Sequence, residues 1–103
     1  MRHTISRHGG TTVIALSGEL DMRVSAHLAG LLTDEVNRPG TSAVRADLAA
    51  VDFVDSTVIN ALVGAYRTAQ GARRSFTVVG ARGHVGRVLG VAGVLSALTA
   101  PPG

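Results

Sequence analysis

Asp55, Ser56 and Thr57 are three adjacent residues whose side chains could do chemistry in this 103-residue chain. They lie between a predicted strand exit and a segment with apolar residues at helical spacing, so the pattern places them at the start of a helix. Oxygens of Asp, Ser and Thr side chains are favoured there because they accept hydrogen bonds from the N–H groups that the first turn leaves free. Helix capping alone would explain all three residues.

Ser56 also allows a functional interpretation, in which its hydroxyl faces solvent and is phosphorylated, with Thr57 as the second choice. A helix N-terminus accepts a phosphate well, because free N–H groups and the helix dipole both favour negative charge. Roughly two added negative charges beside Asp55 would weaken binding to a partner and leave the fold intact. The residues alone leave capping and a phosphorylated switch both open.

The composition excludes several classes of function. The chain has no cysteine, which removes disulfides, thiolate metal sites and thiol nucleophiles. Aromatic residues make up 3% of the sequence, too few for an aromatic ligand cage or for the stacking platform of a single-strand nucleic-acid binder. All ten basic residues are arginines scattered along the chain, and the net charge is +3, so we expect no direct binding of nucleic acid.

Metal, cofactor and enzyme sites find little support in the sequence. Four histidines lack the spacing of metal ligands: His3, His8, His27 and His84. Ser56 is not framed as Gly-x-Ser-x-Gly, and Gly80, Gly83 and Gly86 match neither the dinucleotide fingerprint nor a P-loop. We therefore predict no metal, no cofactor and no enzyme activity. A small α/β enzyme or nucleotide-binding domain that uses these glycines stays as an alternative.

The first half of the chain predicts a β-hairpin, a helix and a strand. Gly9-Gly10 separates the hairpin strands, residues 17–21 break the second strand, and Arg38-Pro39-Gly40 ends the helix. The predicted segments are strands at 4–8 and 11–16, a helix on Val24, Leu28, Leu31, Leu32 and Val36, and a strand at 44–48.

The second half predicts two further helices with a strand between them. A loop over 49–54 precedes the second helix, Gly71 ends that helix, and Gly93 ends the third. The predicted segments are a helix on Val58, Ala61, Leu62, Ala65, Tyr66 and Ala69, a strand at 76–79, a helix on Val85, Val88, Leu89 and Ala92, and a last strand or turn at 94–99. Residues 1–3 and 100–103 are expected to fray.

This order, β-β-α-β-α-β-α, predicts one small α/β domain over residues 1–103. Its sheet should be mixed and mostly parallel, with about four strands and three helices, because strand-helix-strand crossovers join parallel neighbours. An exposed edge strand could pair with a second copy to give a homodimer. No long apolar run and no signal-peptide pattern occur, so we expect a cytoplasmic protein without a membrane segment.

Three blocks of the sequence resemble STAS domains, which are best represented by bacterial anti-sigma factor antagonists. Residues 51–62, with Asp55-Ser56-Thr57 at their centre, are similar to the central signature of the family. Residues 13–21, which end in Gly-Glu-Leu-Asp, are similar to an earlier strand, and the segment from 76 to 94 is similar to the last strand and the helix after it. The resemblance spans nearly the whole chain.

The resemblance implies a specific function. Such antagonists bind an anti-sigma factor that is also a serine kinase, and this releases the sigma factor. The kinase then inactivates the antagonist by phosphorylating the serine matched by Ser56, and a serine phosphatase restores it, so the antagonist is not itself a catalyst. The partner-binding residues implied here are Asp21, Asp55, Ser56, Thr57 and Asn60.

Two positions depart from the family pattern, and they leave a second function open. The family often has glycine two and four residues after the serine, where this chain has Val58 and Asn60. A β-branched residue in the first turn should stiffen it and change how closely a partner approaches. The alternative is an unphosphorylated STAS interaction module in a signalling or transport complex, in which Ser56 and Thr57 only cap the helix.

Overall fold

Four strands and three helices lie within residues 1–91, the part of the chain that the computed structural model describes. They are β1 (Arg2–His8), β2 (Thr11–Leu20), α1 (Met22–Val36), β3 (Ala43–Val54), α2 (Ser56–Gly71), β4 (Ser75–Val79) and α3 (Gly83–Val91). The predicted order of strands and helices is confirmed. The predicted helix end at Gly93, the strand or turn at 94–99 and the frayed end at 100–103 lie outside the described residues. No helix within residues 1–91 is long and apolar enough to cross a membrane.

The four strands form one sheet in the order β1-β2-β3-β4. β1 and β2 are antiparallel and are joined through Gly9 and Gly10, whose φ angles of 55° and 84° suit the tight turn of a hairpin. β3 lies parallel to both β2 and β4, so each of these connections passes through a helix. The predicted mixed and mostly parallel sheet is thus confirmed.

Both central strands are longer than the sequence predicts. β2 continues through residues 17–20, where a break was expected, and β3 continues through the predicted loop at 49–54. The two extensions pair with each other, with Ser17 opposite Ala50 and Leu20 opposite Val54, after register shifts that interrupt the ladder. Such irregularities destroy the period-two alternation that marks a strand in a sequence. As a result, β2 and β3 end side by side.

A single apolar core lies between the sheet and its helices. Alternate residues of β2 and β3 are buried, and they pack with one face of α1 and one face of α2, which contact each other. Fully buried side chains of large volume are Ile14, Leu16, Leu20, Leu28, Leu32, Leu48, Leu62, Leu89, Val36, Val44 and Val54. Phe76 is the one aromatic residue of this core within the described chain. The core therefore consists mainly of aliphatic side chains.

Two arginines from other parts of the fold bind the C-terminal end of α1. Arg7 on β1 binds the carboxylate of Glu35 on α1 through both Nη2 and Nε, and Glu35 is only 6% exposed. Two parallel bonds of this kind fix the planar guanidinium in one orientation. Arg74 donates to the carbonyl oxygens of Val36 and Arg38 at the end of α1, where a cation also suits the helix dipole.

The end of α2 differs from the expected glycine stop. Gly71 is the last residue of the helix, but the left-handed residue is Arg73, with φ 57°. The N–H of Arg74 donates to Ala69 O at 2.8 Å and the N–H of Arg73 donates to Gln70 O at 3.1 Å, which is the Schellman arrangement. The helix boundary was predicted correctly, and the residue that reverses the chain was not.

We expect Arg73→Gly to stabilise the domain by about 0.5–1 kcal/mol, because a side chain in the left-handed region costs about 1–2 kcal/mol and glycine loses part of that gain through its greater freedom when unfolded. Equilibrium urea unfolding measures the change. The matched control is Arg67→Gly inside the same helix, which should destabilise the domain by about 1 kcal/mol. Equal destabilisation by both variants would contradict the assigned conformation of Arg73.

Candidate functional site

Asp55 is the N-cap of α2. Its backbone is extended, and its Oδ1 accepts hydrogen bonds from the N–H groups of Thr57, at 3.0 Å, and Val58, at 3.2 Å. The hydroxyl of Thr57 donates to the same oxygen at 2.5 Å. One carboxylate oxygen thus holds the first turn of the helix. The structure thus places Asp55-Ser56-Thr57 at a strand-to-helix junction, as the sequence predicts.

The second oxygen of Asp55 reaches another helix. Oδ2 accepts a hydrogen bond of 3.0 Å from the backbone N–H of Met22, the first residue of α1. The contact is possible because Leu20 and Val54 are register partners, so the residues that follow β2 and β3 leave the sheet side by side. A single side chain therefore serves the first turns of both α1 and α2.

Asp21 is the N-cap of α1 and lies beside this bridge. Its Oδ1 accepts from the backbone N–H of Arg23 at 2.9 Å, and the Arg23 guanidinium donates to the same carboxylate, with Nη2 at 2.7 Å from Oδ2. The pKa of Asp21 is below its usual value, mainly because of the hydrogen bonds from the Arg23 side chain and next because of the one from the Arg23 N–H. Arg23 is thus paired with Asp21 while most of its side chain stays exposed.

Ser56 and Thr57 differ in the freedom of their hydroxyls. Thr57 is partly buried, and its hydroxyl is held by Asp55. Ser56 is the first residue of α2 and is exposed. Asn60 is also exposed and, four residues along, it lies on the same side of the helix as Ser56. Of the two hydroxyls, that of Ser56 is the one presented to solvent.

The predicted partner residues therefore fall into two groups. Asp21, Asp55 and Thr57 hold the two helix starts, and Ser56 and Asn60 face outward. The structure brings Asp55 next to the start of α1, and so joins the two sequence blocks that suggested the site. The structure adds that the first three side chains make hydrogen bonds within the domain, whereas the last two are exposed.

Val58 faces the core and not the outer surface of the first turn. Its side chain is fully buried, so the branched carbons lie away from any partner that approaches Ser56. The expected crowding of a partner by this residue is not what the structure shows. Asn60 is the departure from the family pattern that reaches the surface.

The geometry around Asp55 also explains its charge state. The Thr57 hydroxyl is the largest cause that lowers the pKa of Asp55, and the N–H groups of Val58, Thr57 and Met22 lower it further, against a smaller opposing effect of burial. All four donors interact better with a carboxylate than with a protonated acid. Asp55 is therefore held in its ionised form at neutral pH.

Two exposed apolar residues next to this site were not recognised in the sequence as site residues. Met22 is 71% exposed, and Phe53 is 38% exposed, with its ring stacked on that of His84 at a centroid distance of 5.6 Å. Met22 directly follows the N-cap residue Asp21 and opens the first turn of α1. That position was the available signal for Met22.

The glycines after β4 have a structural role. Gly80 has φ 74°, and a Cβ there would lie 2.8 Å from Asp47 Oδ1 and 2.9 Å from Ala49 N. A side chain at this position would therefore collide with β3. Gly80 thus allows close packing of the chain on β3.

The chain belongs to the STAS family. The family model described as the Mlab STAS domain matches residues 3–99, which is nearly the whole sequence. No functionally curated protein matches the chain.

Solved structures of several kinds share the fold. An anti-sigma factor antagonist from Mycobacterium paratuberculosis is 29% identical, with a TM-score of 0.82 over 96% of this chain and 82% of that one. The Bacillus cell fate determinant SpoIIAA in its phosphorylated form is 16% identical, with a TM-score of 0.71 over 99% and 92%. A sulfate transporter family protein from Wolinella succinogenes is 19% identical, with a TM-score of 0.73 over 86% and 71%. The fold is therefore shared by anti-sigma factor antagonists and by a transporter family protein.

Acid should destabilise the domain in part through Asp55. Its pKa is lower in the folded than in the unfolded chain, so its contribution is complete above the unfolded value of about 3.9 and is lost as the pH falls through the lower folded value. Asp55→Asn keeps an N-cap residue but removes the titrating group. We expect Asp55→Asn to have a lower free energy of unfolding than the wild-type chain at pH 7. Below pH ~4, this free energy should fall less steeply in the variant than in the wild-type chain. Urea unfolding across the pH range measures both.

The control for this prediction is Asp52→Asn, which removes an exposed carboxylate that makes none of the Asp55 contacts. This variant should keep the pH dependence of the wild-type chain. A decline in Asp55→Asn as steep as in the wild-type chain would show that Asp55 is not the group responsible.

Proposed function

We propose that this STAS domain is an anti-sigma factor antagonist that binds a serine-kinase anti-sigma factor, frees the sigma factor, and is inactivated when the kinase phosphorylates Ser56. The observation that carries the proposal is the contrast between two neighbouring hydroxyls, since Ser56 is exposed and Thr57 is bonded to Asp55. A serine phosphatase reverses the modification. The chain is a substrate in this cycle, acts in the cytoplasm, and catalyses nothing itself.

The start of α2 suits a phosphoryl acceptor. The dipole of α2 favours an added negative charge at its first turn, so a phosphate on Ser56 is compatible with the helix. Asp55 already uses its two oxygens for Thr57, Val58 and Met22. The cap can therefore stay in place while the outward side of the turn changes charge.

Loss of binding follows from the surroundings of the phosphate. A phosphoserine carries roughly two negative charges at pH 7, and here they would stand beside the ionised Asp55. A partner that covers Ser56 must remove water from these charges, which is costly unless cations replace it. The unmodified hydroxyl imposes no comparable cost. Phosphorylation thus weakens the complex and spares the fold.

The direct test is phosphorylation by the purified serine-kinase anti-sigma factors of the same organism. With ATP, at least one of them should add a single phosphate to the wild-type chain, located on Ser56 by mass spectrometry. Ser56→Ala should abolish the modification, and Thr57→Val should retain it, because Thr57 serves Asp55. No modification by any kinase, or modification that survives Ser56→Ala, would refute the proposal.

Binding provides an independent test of the switch. Ser56→Asp should weaken the complex with the kinase at least tenfold, and Ser56→Ala should bind like the wild-type chain, since only the first places charge at the turn. Isothermal titration calorimetry measures both. Thermal unfolding should show that both variants stay folded, so that a loss of binding reports on the interface. Equal binding by all three chains would show that charge at Ser56 does not control the complex.

A second candidate function is an interaction module that is never phosphorylated, within a signalling or transport complex. The observation in its favour is that the fold is shared with a sulfate transporter family protein, in addition to the antagonists. In that case Ser56 would contribute only to the helix start. Stable binding to a partner that has no kinase activity, unchanged by Ser56→Asp, would favour this function.

A further inference from the structure

A small cavity opens at the end of the sheet opposite to Ser56. It lies where the β1–β2 turn meets the connection from α1 to β3, and it is lined by residues 7–12 and 38–41. Its volume is about 180 Å³. A water molecule takes about 30 Å³ in the liquid, so the space suits a few waters or one small ion. Its lining includes the two arginines Arg7 and Arg38 and no carboxylate.

We propose that this cavity binds a small oxyanion with the shape and charge of phosphate. Arg7 and Arg38 supply fixed positive charge, because a guanidinium group stays protonated at every physiological pH. The planar guanidinium also matches the oxygens of such an anion through parallel N–H donors. The inference is independent of the proposed function, because no residue of the cavity belongs to the site around Ser56.

The Arg7 guanidinium is oriented before an anion arrives. Its Nη2 and Nε bind Glu35, and its Nη1 has no hydrogen-bond partner within residues 1–91. Glu35 is nearly buried, whereas the Arg7 side chain stays 44% exposed. With Glu35 counted, Arg7 and Arg38 still leave a net positive charge. Nη1 of Arg7 is therefore available to an anion in the cavity.

Arg38 begins a tight turn that forms the other wall of the cavity. The N–H of Thr41 donates to Arg38 O at 3.1 Å. Pro39 follows Arg38, and Gly40 has φ 85°, which is the pattern of a type II turn. Arg74 donates to the same carbonyl oxygen at 2.8 Å. The backbone of Arg38 is thus fixed, while the residue stays exposed.

Two threonine hydroxyls point to a polar occupant. Thr12 is 1% exposed, Thr41 is 7% exposed, and both line the cavity. Neither hydroxyl is bonded to another group of the described chain, yet neither is a buried oxygen without a partner. The two hydroxyls are therefore open to the cavity that both residues line. Hydroxyl groups can donate to an oxyanion, and the arginines attract one to the same space.

The two walls of the cavity are tied to each other. Gly10 O accepts from the N–H of Ser42 at 2.8 Å and from that of Ala43 at 3.2 Å. A Cβ at Gly10 would lie 3.0 Å from Ser42 Oγ, so the two segments pack closely. The hairpin turn and the start of β3 are thus held together without a ligand. A preformed site loses less conformational freedom on binding, which favours affinity.

The experiment titrates the ¹⁵N-labelled chain with inorganic phosphate, follows the amide signals by NMR, and repeats the titration with sodium chloride at equal ionic strength. We expect saturable shifts at residues 8–12 and 38–41 with phosphate and not with chloride. Arg38→Gln should weaken phosphate binding about tenfold or more, because a hydrogen bond to a charged group is lost. Thr41→Val keeps the branched shape but removes the hydroxyl, and should weaken binding about threefold or more.

The matched control is Arg45→Gln, which removes an exposed arginine of β3 that does not line the cavity. This variant should bind phosphate like the wild-type chain. Equal weakening by Arg45→Gln and Arg38→Gln would show a general effect of charge and would overturn the site. So would the absence of saturable shifts, or shifts confined to residues 55–58, which would place the anion at the start of α2.

Methyl phosphate distinguishes two sources of the same chemistry. Equal binding of methyl phosphate and inorganic phosphate would support a site for a phosphate group carried by a larger molecule. Binding of inorganic phosphate alone would support a site for the free ion.

Discussion

The carboxylate of Asp55 joins the two helix starts on which the site depends. One oxygen caps α2 and the other accepts from the first N–H of α1, so the turns that carry Ser56 and Met22 are fixed relative to each other. Helix starts leave N–H groups without partners inside the helix, and a shared acceptor satisfies two helices at once. The backbone N–H groups of Met22, Thr57 and Val58 around Ser56 are thus satisfied by one side chain.

The sheet makes this bridge possible. β2 and β3 run parallel and end at paired residues, Leu20 and Val54, and each is followed by an aspartate that caps a helix. The register shifts late in both strands carry the pairing to that point. Ligand and partner sites in open α/β sheets commonly lie beyond the carboxyl ends of the strands. In this domain the same end carries the exposed side chains of Ser56 and Met22.

The sequence predicts the order of the elements and the place of Asp55, Ser56 and Thr57, because apolar spacing and helix capping are local signals. It does not predict the extensions of β2 and β3, since the shifted register removes alternation from residues 49–54. The contact between Asp55 and Met22 joins residues far apart in the chain and leaves no local pattern. The left-handed residue at the end of α2 is missed for a similar reason, because Gly71 lies two positions before Arg73 and offers the expected residue type.

The parallel pairing of β2 with β3 has a consequence for when the site exists. Antiparallel neighbours such as β1 and β2 can form early through a short turn, but β2 can meet β3 only after the whole of α1 has been enclosed between them. Contacts of such long sequence separation are slow to form in folding. Asp55 therefore acquires the Met22 N–H only after β2 and β3 have paired with α1 enclosed between them. The surroundings of Ser56 are thus a property of the folded domain and not of the local sequence alone.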